Sequence, residues 1–331
     1  MNLQERILIL IKLGNYLKSN NSNWLDTQLL AEQKNGWFTR EFIQKAACSI
    51  ADNFLREDKL QQWADYYKLD DNIQEKYVGI VMAGNIPLVG FHDFLCVFMA
   101  GHKQMIKMSS KDDVLLKHLV QVMAGWNPNV NDRIFFLEML KNCDAYIATG
   151  SNNSSRYFEQ YFGNYPNIIR YNRTSVAVLN GRETREELEK LADDMHLYFG
   201  LGCRNVTKIY VPENYDFIPL LKAFDQYKYF SDHHKYRNNY DYQLSLLLLN
   251  GKYYMTNGST LLTQNDSFFS PISQVHYQFY SSLEGLQQSL QSNSELQCIV
   301  GLSCVPFGQA QNPGLFQYAD GVDTMAFLLG L

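Results

Sequence analysis

Between residues 3 and 67, apolar residues recur at three- and four-residue spacings, with breaks at residues 20–23 and at Gly36. That period predicts a helical segment over residues 1–75. In "FTREFIQKAACSIADNFL", Thr39 stands at the N-cap position and Phe42 begins the buried stripe. From Lys76 the pattern shortens. "YVGIVMAG" is an apolar run closed by Gly84, as expected of a strand buried on both faces. "LVGFHDFLCVFMAG" reads as a helix ending at Gly101, "KQMIKMSS" as a strand and "KDDVLLKHLVQVMAGW" as a helix. "RIFFLEML" fits neither period. "AYIATGS" and "NNSSRYFEQYF" repeat the strand–helix order, and "NIIRYN" and "SVAVLN" read as strands in close succession.

The second half follows the same grammar. "TREELEKLADDMHLYFG" is a helix with Thr184 as N-cap, Glu187 three residues on, and Gly200 at its end. The strand "VTKIYV" follows, and alternation continues to "LQCIVGLS". Such alternation with short links predicts doubly wound parallel sheets. The expected organisation is two α/β units, residues 1–172 and 173–331, with helices leading the first.

Composition agrees. A chain of 331 residues with 46% hydrophobic content can bury two cores. A net charge of -5 argues against a nucleic-acid surface, while leaving room for a local basic pocket that receives an anionic cofactor. No run approaches the ~20 apolar residues of a membrane span. The six cysteines, at 48, 96, 143, 203, 298 and 304, form no C-x-x-C pair and no zinc-spaced cluster with histidine. They are expected as free thiols in a reducing, cytoplasmic compartment, with no metal.

One cysteine stands apart. In "YFGLGCRNVTKIYVP", Cys203 follows Gly200 and Gly202 and heads an alternating run. Glycines there let the backbone approach a ligand closely, and Arg204 and Lys208 would favour the thiolate. Position alone leaves Cys203 balanced between a nucleophile and a small buried hydrophobe. Three strand ends in the first unit are also polar. "MAGNIPLVG" puts Asn85 where open α/β sheets bind ligands, so that its amide can meet an oxyanion; a turn asparagine bonded to its own backbone is the plainer reading. "MIKMSS" offers Lys107, Ser109 and Ser110. "ATGSNNSSR" puts Gly150 and Ser151 at a helix N-terminus, able to hold a pyrophosphate. Neither G-x-G-x-x-G nor a Walker A motif is present.

Taken in order, N-I-P, I-K-M-S-S, T-G-S and G-L-G-C-x(4)-K-x-Y-V, with the closing "YADGVDTMAFL", resemble the aldehyde dehydrogenase superfamily. The resemblance is to its LuxC-type acyl-CoA (fatty acid) reductases and covers roughly residues 76–331. It implies an aldehyde dehydrogenase-like fold with a nucleotide-binding first domain and a catalytic cysteine domain. It also implies a mechanism. Cys203 would attack an acyl thioester of CoA or acyl carrier protein, with Asn85 and the Cys203 amide holding the oxyanion. A reduced nicotinamide would deliver hydride to the acyl-cysteine, and an aldehyde would leave. Lys107 would meet the adenosine ribose beside Ser109 and Ser110, and Thr149, Gly150 and Ser151 would line the nucleotide path. A homo-oligomer is part of the implication, although no extra hairpin arm is visible for arm exchange.

Two departures refine this. Hydrolytic aldehyde dehydrogenases carry a glutamate base some thirty residues before the cysteine, whereas residues 160–182 here contain no Asp or Glu. Water attack should then be slow, leaving thiol exchange and hydride reduction. Relatives also carry an acid three positions after the cofactor lysine, favouring NAD. Here Ser110 and Lys111 stand there, which suits the 2′-phosphate of NADPH. The rival readings are a cysteine acyltransferase or thioesterase without nicotinamide chemistry, and a non-catalytic nucleotide-binding relative. In "YFSDHHKYRNNYDYQ", His233 and His234 are expected in a polar surface loop, with a lid or an acid/base pair as the alternatives. Cys298 and Cys304 are expected in the core.

Overall fold

Side-chain caps start the N-terminal helices. Asn2 accepts from the Glu5 amide while the Glu5 carboxylate accepts from the Asn2 amide, opening α1 (Leu3–Leu17). Asn21 caps α2 (Ser22–Lys34), and Thr39 caps α3 (Arg40–Asn53) through the Phe42 amide at 3.2 Å. A fourth helix, α4 (Glu57–Tyr67), follows. Their apolar stripes, with Leu10, Leu13, Trp24, Ile43 and Trp63, join the core of the sheet that comes next. This computed structural model describes residues 1–291, 293–302 and 304–331.

The first sheet is built by β1 (Tyr77–Val81), α5 (Phe91–Ala100), β2 (Lys103–Lys107), α6 (Leu115–Trp126), β3 (Ile134–Phe136), β4 (Ala145–Thr149), α7 (Asn152–Phe162) and β5 (Asn167–Arg170). Its five strands are parallel, in the order β3-β2-β1-β4-β5. The chain builds outward from β1 to one side, then returns to place β4 on the other. The carboxyl ends of β2, β1 and β4 are therefore neighbours, and the order reverses between β1 and β4, where open α/β sheets bind ligands. Of "RIFFLEML", only Ile134–Phe136 is strand.

The second sheet is built by β6 (Thr174–Val178), α8 (Arg185–His196), β7 (Val206–Pro212), α9 (Ile218–Ala223), α10 (His234–Leu249), β8 (Met255–Thr256), β9 (Leu261–Gln264), β10 (Gln274–Tyr280), α11 (Leu283–Gln291) and β11 (Leu296–Val300). Its order is β11-β6-β7-β10-β9-β8, parallel except for β8 against β9. The successive strands "NIIRYN" and "SVAVLN" thus fall in different sheets.

Backbone contacts divide the chain into Met1–Asn172 with Pro313–Leu331, and Arg173–Asn312. The tail, carrying α12 (Thr324–Leu329), belongs to the first unit and not to the second, where the sequence reading kept it. Its hold is polar as well as apolar. The Arg170 guanidinium, at the end of β5, donates to Asp93, to the Ala319 carbonyl at 2.6 Å and to Thr324 Oγ1 at 2.9 Å. Trp63 donates to the Tyr318 hydroxyl, which donates to Tyr67, which donates to Asp323. Asp323 also caps α12.

Candidate active site

In the first unit the loops after β1 and β2 touch. A Cβ on Gly84 would stand 2.7 Å from Ser109 Oγ, so the approach requires glycine. Leu88 is left-handed at φ 57, and its amide donates to Asp112 Oδ2 at 2.9 Å. Burial pushes the Asp112 carboxyl up to about 6. Asn85 is half-buried between Gly84 and Leu88. Lys107, the last residue of β2, is exposed, as is Ser110; Ser109 is half-buried and accepts from the Lys111 amide at 3.2 Å. The N-terminal helices steady this loop: Asn35 donates to the Lys111 carbonyl at 3.1 Å and Lys34 pairs with Asp113 at 3.2 Å.

After β4, Thr149 and Gly150 are half-buried. A Cβ on Gly150 would lie 2.8 Å from the Phe158 ring, so this glycine lets α7 pack close to its own strand. Ser151 is the N-cap, accepting from the Ser154 amide at 3.3 Å, and the first turn of α7 has no acidic residue. The structure thus brings Asn85, Lys107, Ser109, Ser110, Thr149, Gly150 and Ser151 to adjacent strand ends on one edge of the first sheet.

Cys203 belongs to the second unit, at the head of β7. The approach to it is strained. Tyr198, Phe199 and Gly200 are all left-handed, at φ 56, 57 and 75. Only glycine takes this conformation freely; each of the others costs about 1–2 kcal/mol. Aromatic packing offsets the cost, since the Phe199 ring lies 4.5 Å from both Phe230 and His233 and 5.8 Å from Tyr236.

The next turn is closed twice. The Asn205 amide donates to the Gly202 carbonyl at 3.0 Å, and the Gly202 amide donates to Asn205 Oδ1 at 2.8 Å. Cys203 and Arg204 are its two central residues, and Cys203 is half-buried. The Asn205 side-chain NH2 is shared among the carbonyls of Asp194, Met195 and Leu197, tying the turn to the end of α8. From below, Ser175 on β6 donates its hydroxyl to the Cys203 carbonyl at 3.1 Å and lies 3.1 Å from Cys298 Sγ.

Several expectations are corrected here. Lys208 does not serve Cys203: it is fully buried, donates to the Asp266 carbonyl at 2.7 Å and lies over the rings of Tyr210 and Phe268. Burial lowers its pKa. The Arg204 charge also reaches Cys298, whose thiol is pushed up by burial against the pull of Ser175 and Arg204. Cys304 is exposed rather than core. The segment around His233 and His234 is mostly helix, not loop: His233 caps α10 by accepting from the Tyr236 amide at 3.3 Å, and His234 is exposed at its first position. Ser175 and Asn205 escaped the sequence reading. A G-x-x-N spacing was the available signal for Asn205; Ser175 reads only as the second residue of a strand.

Among the described residues no His/Cys/Asp/Glu group is arranged to hold a metal, and no helix is long and apolar enough to cross a membrane. No curated protein matches the chain. Solved aldehyde dehydrogenases share its fold. Aldehyde dehydrogenase 21 of Physcomitrella patens, in complex with succinate, is 12% identical with a TM-score of 0.65, covering 91% of this chain and 74% of that one. An NAD+ complex of aldehyde dehydrogenase from Bacillus cereus is 11% identical with a TM-score of 0.63, covering 89% and 70%. An NADP-dependent enzyme of E. coli is 10% identical with a TM-score of 0.66, covering 91% and 73%. The family model for acyl-CoA reductase (LuxC) matches residues 42–218, a span that holds Asn85, Lys107, Ser109, Ser110, Thr149, Gly150, Ser151 and Cys203. With more than half of its length in that match, the chain belongs to the acyl-CoA reductase (LuxC) family.

Proposed function

We propose that the protein reduces an acyl thioester, carried by CoA or acyl carrier protein, to the aldehyde through an acyl-Cys203 intermediate, using NADPH. The observation that carries this reading is the turn presenting half-buried Cys203 at the head of β7 in a chain of this family. The Cys203 thiolate attacks the acyl carbonyl. The Cys203 amide and the Asn85 side chain donate to the oxyanion, and the CoA or carrier thiolate leaves as the carbonyl reforms. A reduced nicotinamide, when bound, would supply the hydride that takes the acyl-cysteine to the alkoxide of a thiohemiacetal. As that alkoxide re-forms a carbonyl the C–S bond breaks, the Cys203 thiolate leaves and the aldehyde is freed. The absence of Asp and Glu from residues 160–182 leaves water without a base there, which protects the acyl-enzyme from hydrolysis.

The residues fit a dinucleotide. The neighbouring ends of β2, β1 and β4 form the edge where such sheets hold ligands, and the α7 N-terminus faces no acid in its own first turn. Lys107 and Ser109 are assigned to the ribose, Ser110 and Lys111 to the 2′-phosphate, and Thr149, Gly150 and Ser151 to the pyrophosphate path. The chain is read as a homo-oligomer.

Intact mass after incubation with butanoyl-, dodecanoyl- and hexadecanoyl-CoA tests the acyl-enzyme, and NADPH oxidation by the loaded protein tests the reduction. Loading without NADPH oxidation favours an acyltransferase or thioesterase. No adduct with any thioester favours a binding protein.

A further inference from the structure

Both peptide planes that flank Cys203 are fixed by partners outside the cysteine itself. In a trans peptide the C=O and N–H point in opposite directions. The Gly202 carbonyl is drawn to the Asn205 amide at 3.0 Å, so the Cys203 N–H of the same plane points away from that amide. The next plane is fixed by the Ser175 hydroxyl on the Cys203 carbonyl at 3.1 Å. Ser175 and Asn205 are both fully buried, and the Asn205 side chain bonds on both sides of the turn. With its hydrogen committed to Cys203, the Ser175 oxygen accepts from the Cys298 thiol.

We infer that Ser175 and Asn205 are positioning residues that aim the Cys203 amide at the oxyanion, with Cys298 holding the Ser175 rotamer. This rests on the reading of Cys203 as the acyl-accepting nucleophile. Two planes held from opposite sides cost no reorganisation when charge develops, which is what an oxyanion donor requires. The reactivity of the sulfur itself is a separate matter. Alkylation by iodoacetamide is a displacement at carbon that forms no tetrahedral oxyanion, so it needs the thiolate but not the aimed amide.

The test compares the two reactions on the full chain. Wild type, Ser175→Ala, Ser175→Thr and Asn205→Asp are each given the acyl-CoA that loads wild type fastest and, separately, iodoacetamide, with Cys203 modification followed by mass. Ser175→Ala is expected to slow acyl loading about 10- to 100-fold while alkylation stays within about twofold, and Ser175→Thr to restore loading. Asn205→Asp keeps the acceptor for Gly202 but loses the three carbonyl contacts, and is expected to fall between. Equal slowing of both reactions, or loading at the wild-type rate in Ser175→Ala, overturns the inference and leaves the acyl-enzyme reading standing. A wild type that alkylates at Cys203 yet takes no acyl group overturns that reading and the inference with it.

Discussion

Arg170 and Asp93 form a buried ion pair, with 2.6 Å between Nη2 and Oδ1 and side-chain exposures of 3% and 12%. The same guanidinium holds the tail at Ala319 and Thr324. Removing one partner of such a pair leaves a buried charge alone, which typically costs about 3–5 kcal/mol. Arg170→Ala should destabilise the protein by that order and expose the tail to limited proteolysis. Denaturant unfolding at the wild-type midpoint would show that Arg170 does not hold the tail.

Cys203→Ala should abolish acyl loading. Cys304→Ala, at an exposed position, should load like wild type, and Cys298→Ala, which removes the thiol that holds the Ser175 rotamer, should load more slowly but still gain the acyl mass. Intact mass reads all three; acyl mass on Cys203→Ala would end the nucleophile assignment.

Wild type should prefer NADPH to NADH, and Ser110→Glu should reverse the preference. A 2′-phosphate carries about -1.5 to -2 charge, and a carboxylate in place of Ser110 should shift the ratio of KM values by about tenfold or more. Lys107→Ala should weaken both cofactors, because its assigned contact is the ribose they share. Steady-state kinetics with each cofactor checks this. An unmoved ratio in Ser110→Glu removes Ser110 from the cofactor pocket.

Asp194 should give the protein a measurable pH dependence. Its carboxylate accepts from the Gly308 and Ala310 amides at 2.7 and 2.9 Å, and burial pushes its pKa up to about 7, above the ordinary 3.8. A raised folded value means that the protonated form is the one the fold favours. The stabilisation is whole below about pH 4 and is lost as pH rises through 7. Asp194→Asn does not titrate. The melting temperature of wild type relative to this variant should therefore fall from pH 4 to pH 7 and level off above. A constant difference across that range would mean that Asp194 titrates normally.

Local rules carried much of the sequence reading. Thr39 and Thr184 cap helices, Gly101 and Gly200 take left-handed backbone, and Cys203 lies in a turn before a strand, each for reasons contained within a few residues. What escaped was set by distant partners. Lysine in an alternating strand reads as solvent-facing, yet Lys208 is buried because the Asp266 carbonyl and two aromatic rings receive its ammonium. Nothing local in "NPGLFQYADG" announces that Arg170 waits for its carbonyl. Ser175 and Asn205 look like ordinary strand and turn residues until the fold brings Cys203 over one and α8 beside the other.

The return of Pro313–Leu331 to the first unit has a consequence for biosynthesis. The second unit is spliced into the first, so the first is begun earliest on the ribosome and completed last. Until the whole of Arg173–Asn312 has been translated, Trp63, Tyr67 and Arg170 lack the tail groups that satisfy them. A nascent chain stalled within that insert would present a first sheet with all five strands but an open polar seam where the tail belongs, an early target for chaperones. A gene truncated before Tyr318 should yield protein that is cleared rather than a stable fragment.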